Sequence, residues 1–311
     1  VVDALLALRA RLSLETLVAS VEKAGARALT WRDPEYPPLL FETYGSPPVL
    51  YVRGTLTDAD RTALAVVGTR QVTSYGRHVA ERLVAELVGH GLTIVSGLAR
   101  GIDTIAHHTA LEHGGRTVAV LGNGVDVVYP AENRALTERI VQQGAVISEY
   151  PMGAAPEATN FPARNRIIAG MTIGTLVVEA GRKSGALITA NMALEMGREV
   201  FAIPGNIYSR QSDGTNGLIQ QSGAKLVATA HDVLEELNVA TVTRQLEMKE
   251  LVPENPTEQR IVQHLSAEPT HVDELARALN LPVKVLSGEL LLMELKGLVR
   301  NAGGMTYVSG R

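Results

Sequence analysis

Ala63-Leu64-Ala65-Val66-Val67-Gly68-Thr69-Arg70 is the stretch on which the fold turns. Five apolar residues run without a polar residue at alternate positions, then stop at a glycine turn. A strand exposed on one face alternates; a strand covered on both faces does not, and such strands belong to parallel sheets. Runs of the same kind recur at 92–95, 117–121, 145–147, 175–178 and 199–203. Helix-length segments at 75–89, 102–112 and 184–196 separate them, and glycines such as Gly89, Gly114 and Gly197 follow as helix ends require. A short unit, 225–227 followed by 232–237, closes the pattern near residue 238. Repeated strand–helix alternation predicts an α/β fold with a doubly wound, mostly parallel, Rossmann-like sheet.

Upstream, residues 1–30 read as a helical stub, with a stripe of Leu5, Leu8, Leu12 and neighbours. The segment 31–54 carries Pro34, Pro37, Pro38, Pro47 and Pro48, and reads as an ordered strap lying on the next domain. The expected divisions are 1–55 for stub and strap, 56–238 for the sheet domain, 239–255 for a linker with Pro253, and 256–311 for a small C-terminal domain. In that last domain, helices at 257–265, 271–279 and 281–295 precede a hairpin with Gly303-Gly304 at its turn. Three helices and a hairpin of this size predict a winged helix-turn-helix.

Composition narrows the function. The 311 residues include no cysteine, so disulfides, zinc ribbons and thiol catalysis are excluded. No run of 18 apolar residues suggests a membrane span, and no signal-peptide pattern is visible. Cytoplasm is therefore the expected compartment. The chain opens Val1-Val2 without Met, which leaves open whether its true start is present. Net charge is −4, against a surface coated in nucleic acid but compatible with a local basic groove.

In a doubly wound sheet, ligands bind outside the carboxyl ends of the strands. The residues there are glycine-rich: Gly68-Thr69-Arg70, Ser96-Gly97-Leu98-Ala99-Arg100-Gly101, Gly122-Asn123-Gly124-Val125-Asp126 and Glu179-Ala180-Gly181-Arg182-Lys183-Ser184-Gly185. Glycines let backbone N–H groups approach an anion, and helices starting just beyond add a favourable dipole. Arg70, Arg100, Arg182 and Lys183 fall on this one edge, and Asn160-Phe161-Pro162-Ala163-Arg164-Asn165-Arg166 feeds the same side. A globally acidic chain that gathers cations around a glycine-rich pocket has the footprint of a phosphate-backbone site. Neither G-x-G-x-x-G nor G-x-x-x-x-G-K-[ST] occurs at a strand end, so no nucleotide cofactor is expected. Glu149 and Glu179 are read as orienting the arginines rather than as a catalytic pair, and His107 and His108 as structural histidines without metal-ligand spacing.

These loops resemble the DNA-processing protein A family. The likeness is carried by Val66-Val67-Gly68-Thr69-Arg70, by Ser96-Gly97-Leu98-Ala99-Arg100-Gly101-Ile102-Asp103 and by Gly122-Asn123-Gly124-Val125-Asp126-Val127-Val128-Tyr129-Pro130. Asn160-Phe161-Pro162-Ala163-Arg164-Asn165-Arg166-Ile167-Ile168-Ala169-Gly170, Val177-Val178-Glu179-Ala180-Gly181-Arg182-Lys183-Ser184-Gly185 and Asn216-Gly217-Leu218-Ile219-Gln220-Gln221-Ser222-Gly223-Ala224 continue it, over about 30 to 238 in order. The resemblance implies a non-enzymatic, single-stranded DNA-binding protein of natural transformation that protects incoming DNA. It further implies helping to load the recombinase RecA onto DNA covered by single-strand-binding protein, and action as a homodimer. Carried over by position, Gly68, Thr69, Arg70, Ser96, Gly97, Arg100, Gly101, Asn160, Phe161, Arg164, Arg166, Lys183 and Ser184 would form the DNA site, with Phe161 the aromatic placed to stack on a base. Leu218, Ile219 and Leu226 would form the dimer surface.

Two other readings compete. A nucleotide-processing hydrolase of the lysine-decarboxylase-like type would carry P-G-G-x-G-T-x-x-E, where this chain has Glu179-Ala180-Gly181-Arg182-Lys183-Ser184-Gly185. A duplex-DNA regulator would need a basic winged helix, yet 256–311 holds six basic and six acidic residues. Its third helix offers Leu290-Leu291-Leu292-Met293, more apolar than one buried face requires, which suits protein contact or fold support.

Overall fold

Described in the computed structural model are residues 13–238, 256–265, 269–295 and 299–309. The chain divides into two units, 1–239 and 240–311. The N-terminal part of the stub and the linker expected at 239–255 lie outside the described residues.

Helix α1 (Leu14–Lys23) starts at Ser13, whose side chain accepts from the Thr16 N–H (3.2 Å). The residues after it are not helical. Strand β1 (Ala26–Thr30) pairs antiparallel with β2 (Val49–Gly54), Ala26 opposite Arg53 and Thr30 opposite Val49. This changes the reading of the stub and the strap. The five prolines fall in the 31–48 connection, which includes the short helix α2 (Pro38–Phe41), while Val49-Leu50-Tyr51-Val52 is free of proline and able to pair. The end of the stub and the end of the strap are thus both strands of the main sheet.

The alternating region forms β3 (Ala63–Val67), α3 (Ser74–Gly89), β4 (Thr93–Ser96), α4 (Ile102–Glu112), β5 (Thr117–Val120), α5 (Arg134–Gln143) and β6 (Ala145–Ser148). It continues through α6 (Asn160–Gly170), β7 (Gly174–Val177), α7 (Gly185–Glu195), β8 (Glu199–Ala202), α8 (Asp213–Gln220), β9 (Lys225–Leu226) and α9 (Ala230–Glu236). The nine strands lie in the order β1-β2-β6-β5-β4-β3-β7-β8-β9. All pairings from β6 to β9 are parallel; β2 joins β6 antiparallel.

Alternate residues of β3 explain why the strand is apolar throughout. Ala63, Ala65 and Val67 enter one core with Ile167 and Ile168 of α6 and Ala190 of α7; Leu64 and Val66 enter the other with Leu83 of α3 and Ile105 of α4. No helix among the described residues is long and apolar enough to cross a membrane.

The second unit is a winged helix, with α10 (Pro256–His264), β10 (Thr270–His271), α11 (Val272–Leu279), α12 (Val283–Leu295), β11 (Val299–Gly303) and β12 (Thr306–Ser309). Its sheet runs β10-β12-β11, so the hairpin gains a third strand that the sequence pattern did not reveal. In α12, Leu290 and Met293 are fully buried while Leu291 and Leu292 stay more than half exposed, as the excess of apolar residues predicts.

His107 is fully buried in α4. The Thr117 hydroxyl donates to the Ile94 carbonyl (2.7 Å), so in its 2.7 Å contact with His107 Nδ1 the ring nitrogen carries the hydrogen. Burial, with the nearby Arg164 charge adding to it, pushes the imidazole pKa down to about 3. The unfolded chain binds a proton near pH 6.5 that the folded chain refuses until about pH 3. Stability from this group is therefore complete above 6.5 and falls as pH drops toward 3. Between pH 7 and pH 5 the loss should be about 2 kcal/mol. Urea titrations of His107→Gln should lack that increment; an unchanged pH dependence would show that the loss arises elsewhere.

Candidate nucleic-acid interface

Strand order reverses between β3 and β7: β4 to β6 are laid on one side of β3, β7 to β9 on the other. Such a reversal parts the loops above the sheet and makes a crevice at the carboxyl ends of the strands. A groove of about 810 Å³ opens there. Gly68, Thr69 and Arg70 reach it from the β3–α3 loop, Ala99 from the β4–α4 loop, Phe161 and Arg164 from α6, and Lys183 and Ser184 from the β7–α7 loop. Ser184 also caps α7, accepting from the Ala186 N–H (3.3 Å).

Close backbone approach shapes this groove. Gly101 has φ +86°, and a Cβ on it would lie 2.2 Å from the Thr69 carbonyl oxygen. Only glycine lets the two loops meet so closely, and the Ile102 N–H then donates to the Thr69 carbonyl (3.2 Å). A Cβ on Gly97 would lie 2.5 Å from Arg164 Nη2, so that glycine makes room for a guanidinium. Ser96 is fully buried, its hydroxyl donating to the Val66 carbonyl (2.6 Å) and tying β4 to β3. Ser96, Gly97 and Gly101 therefore build the groove from behind, and Asn160 sits half-buried in the first turn of α6.

The arginines separate into distinct roles. Arg164 is 4% exposed. Its Nη1 donates to the Gly97 carbonyl (2.8 Å) and to the Val120 carbonyl, joining the ends of β4 and β5. Asp103 beside it accepts from the N–H groups of Gly97 (3.1 Å) and Ala99 (3.4 Å). Burial lowers the Arg164 pKa to about 10, which the Asp103 charge opposes, and burial raises that of Asp103, which the Arg164 charge opposes. Arg166 makes a bidentate pair with Glu149 (2.5 and 2.6 Å), and its Nε donates to the Gly45 carbonyl (3.0 Å), holding the strap. The 164–166 segment lies within helix α6, and both of its arginines are committed to the protein. Arg100 is exposed but clasped by Glu132 (2.6 and 2.9 Å). Arg182, highly exposed, lies 3.5 Å from Asp213.

Arg70 and Lys183 differ: both are exposed, and neither has a carboxylate partner among the described residues. The Arg70 guanidinium lies over the Phe161 ring, 5.8 Å from its centre. Among the described residues, Glu179 pairs with no arginine. It is buried, accepting from the Thr73 N–H (3.0 Å) and hydroxyl (2.5 Å) at the start of α3. Glu149 orients an arginine as expected; Glu179 does not.

Tyr129 is the aromatic that the sequence reading missed. It lines the groove, and its ring centre lies 5.6 Å from that of Phe161 at 31°. Its signal was its place beyond β5 on the same edge. Of the residues assigned to self-association, Leu218 packs in part against the sheet core, Ile219 is half-buried in α8, and Leu226 is 47% exposed on the edge strand β9.

The sequence profile of the DNA recombination-mediator protein A family matches residues 27–238, and that of the DprA winged helix domain matches 247–305. The chain is 48% identical over 201 residues to DNA processing protein DprA of Streptococcus pneumoniae, covering 65% of this chain and 71% of that one. Protein Smf of Escherichia coli is 39% identical over 306 residues, covering 94% and 80%. The solved structure of DprA from S. pneumoniae superposes with a TM-score of 0.68 at 44% identity, over 73% of this chain and 78% of that one. DNA processing protein A from Helicobacter pylori, described for its single-stranded DNA binding mode, gives 0.62 at 28% identity, over 70% and 98%.

Replacing Arg164 by Met leaves Asp103 buried without a counter-charge, which should cost about 3–5 kcal/mol of stability. Arg70→Ala touches no buried group and should stay within about 0.5 kcal/mol of the parent. Denaturant titrations separate the two; equal stabilities would remove Arg164 from its structural role.

Proposed function

The chain belongs to the DNA recombination-mediator protein A family, and we propose that it binds single-stranded DNA in the groove where strand order reverses. The observation that carries this is the pairing pattern on one sheet edge. Arg70 and Lys183 have no carboxylate partner among the described residues, and they share the groove with Phe161 and Tyr129. Two free cations for phosphates and two rings for bases are what a single strand requires. A duplex keeps its bases stacked inside and offers those rings no face. The H. pylori relative, described as binding single-stranded DNA, supports the same assignment.

A binding role is also favoured over hydrolysis. The carboxylates at the ends of β6 and β7 are engaged, Glu149 by Arg166 and Glu179 by Thr73. The proposed setting is natural transformation and recombination in the cytoplasm, where the protein protects incoming strands and helps load RecA onto DNA held by single-strand-binding protein. The family resemblance supports this setting. Self-association is proposed through Leu218, Ile219 and Leu226. The exposure of Leu226 on an edge strand favours pairing with a second copy about a twofold axis.

Arg70→Ala and Lys183→Ala should each weaken single-strand binding by about 1–3 kcal/mol. Each should also flatten the salt dependence by about 0.7 of a log unit per lost contact. Arg70→Lys should rescue little, because an ammonium cannot reproduce a bidentate fork. Fluorescence anisotropy over a salt series reads all three, and blunt duplex bound as tightly as single strands at moderate salt would overturn the proposal. Ile219→Glu should yield a monomer by light scattering; a retained dimer would place the interface elsewhere.

A further inference from the structure

The sheet edge continues past the groove. Beyond the β7–α7 loop, the β8–α8 loop at 203–212 frames a second hollow of about 540 Å³, walled by Thr73, Tyr75, Glu179, Asn206, Ser209 and Ser212. This loop is anchored at several points. The Tyr75 hydroxyl donates to the Pro204 carbonyl (2.7 Å). The Gly205 N–H donates to Asn216 Oδ1 (3.1 Å), and Asn216 Nδ2 donates back to the Gly205 carbonyl (3.0 Å). The Gly214 N–H donates to the Ala180 carbonyl (2.7 Å), fixing the loop's far end against the segment that leads to Lys183.

On this anchored loop Ile207 and Tyr208 are 76% and 90% exposed. Arg210 is exposed and without an ion pair among the described residues, and its carbonyl lies 3.2 Å from where a Cβ on Gly181 would stand. Arg182 stands on the adjoining loop, 83% exposed. An exposed ring on the same loop as the unpaired Arg210, beside the loop that carries Arg182 with its Asp213 partner and Lys183, repeats the chemistry of the groove that already holds Arg70 and Lys183. The buried Glu179 carboxylate forms part of the hollow and disfavours an anion inside it, so phosphates belong on the cationic rim and a base belongs against the ring.

We propose that the bound strand leaves the groove over 181–183 and runs onto the β8–α8 loop, where Tyr208 stacks on a base and Arg210 contacts a phosphate. This rests on the single-strand reading above and extends the binding site by one element of the fold. Stacking on an exposed ring tolerates any base, so the extension adds length dependence rather than sequence preference.

Anisotropy with oligothymidylates of about 6 and about 20 nucleotides tests it. Tyr208→Ala and Arg210→Ala should each weaken the longer strand roughly tenfold and leave the shorter unchanged, while Tyr208→Phe keeps the affinity of the parent. Unchanged affinity for the longer strand, or equal loss on both lengths, would overturn the extension. A change in oligomeric mass on Tyr208→Ala would also overturn it, showing the ring to be covered by a second copy. Arg70→Ala is measured alongside. If it leaves both lengths bound as tightly as the parent, the groove reading itself has failed, an outcome separate from failure of the extension.

Discussion

From a single nitrogen, the buried Arg164 guanidinium donates to the carbonyls that end β4 and β5, and the groove takes its shape from that restraint. Taking a cation out of water costs several kcal/mol, and the nearby Asp103 charge and the carbonyl acceptors offset it. Apolar residues of similar volume in place of both Arg164 and Asp103 could serve stability as well, but they could not fix where two carbonyls lie. Gly97 lacks a side chain because the guanidinium occupies that space, and Gly101 adopts a positive φ because Thr69 approaches it. Three neighbouring strand ends are thereby held in register by backbone and by one buried cation.

With the groove built from behind, its outer charge is set by which carboxylates are spent. Glu132 holds Arg100, Glu149 holds Arg166, and Glu179 is turned inward to Thr73. Arg70 and Lys183 remain. A chain with net charge −4 thus keeps a positive field in one concave place, where low-dielectric walls strengthen it. The contact with Phe161 orients Arg70 before any ligand arrives, which lessens the entropy lost when a guanidinium is fixed.

The sheet was legible because β3 to β7 are buried on both faces, and such strands announce themselves as unbroken apolar runs. The N-terminal hairpin was hidden twice over: β1 continued a leucine-striped stub read as helix, and β2 followed prolines, which forbid pairing where they stand and not in the proline-free residues after them. The edge loops were legible as a cationic, glycine-rich rim. What could not be read was commitment. Arg70, Arg100, Arg164 and Arg166 look alike in sequence, and only distances to Glu132, Glu149, Gly97 and Val120 divide them into free, clasped and buried. Tyr129 is part of the loop after β5, but nothing in the sequence says that the loop brings its ring to within 5.6 Å of Phe161.

The winged helix follows the same logic to the opposite result. The side chain of Arg260 donates to the Leu279 carbonyl (2.8 Å) at the end of α11, so one basic residue is already used inside the unit. Acidic residues equal basic ones from 256 to 311, which leaves no net charge to attract phosphates. On α12, where a groove-reading helix would carry cations, Val285, Leu291 and Leu292 are all more than half exposed. Apolar surface held in water is stabilised by covering it, and a phosphate backbone cannot provide that cover. The chemistry of α12 therefore differs in kind from that of the groove, and the unpaired cations and exposed rings suited to single-stranded DNA lie in the first unit.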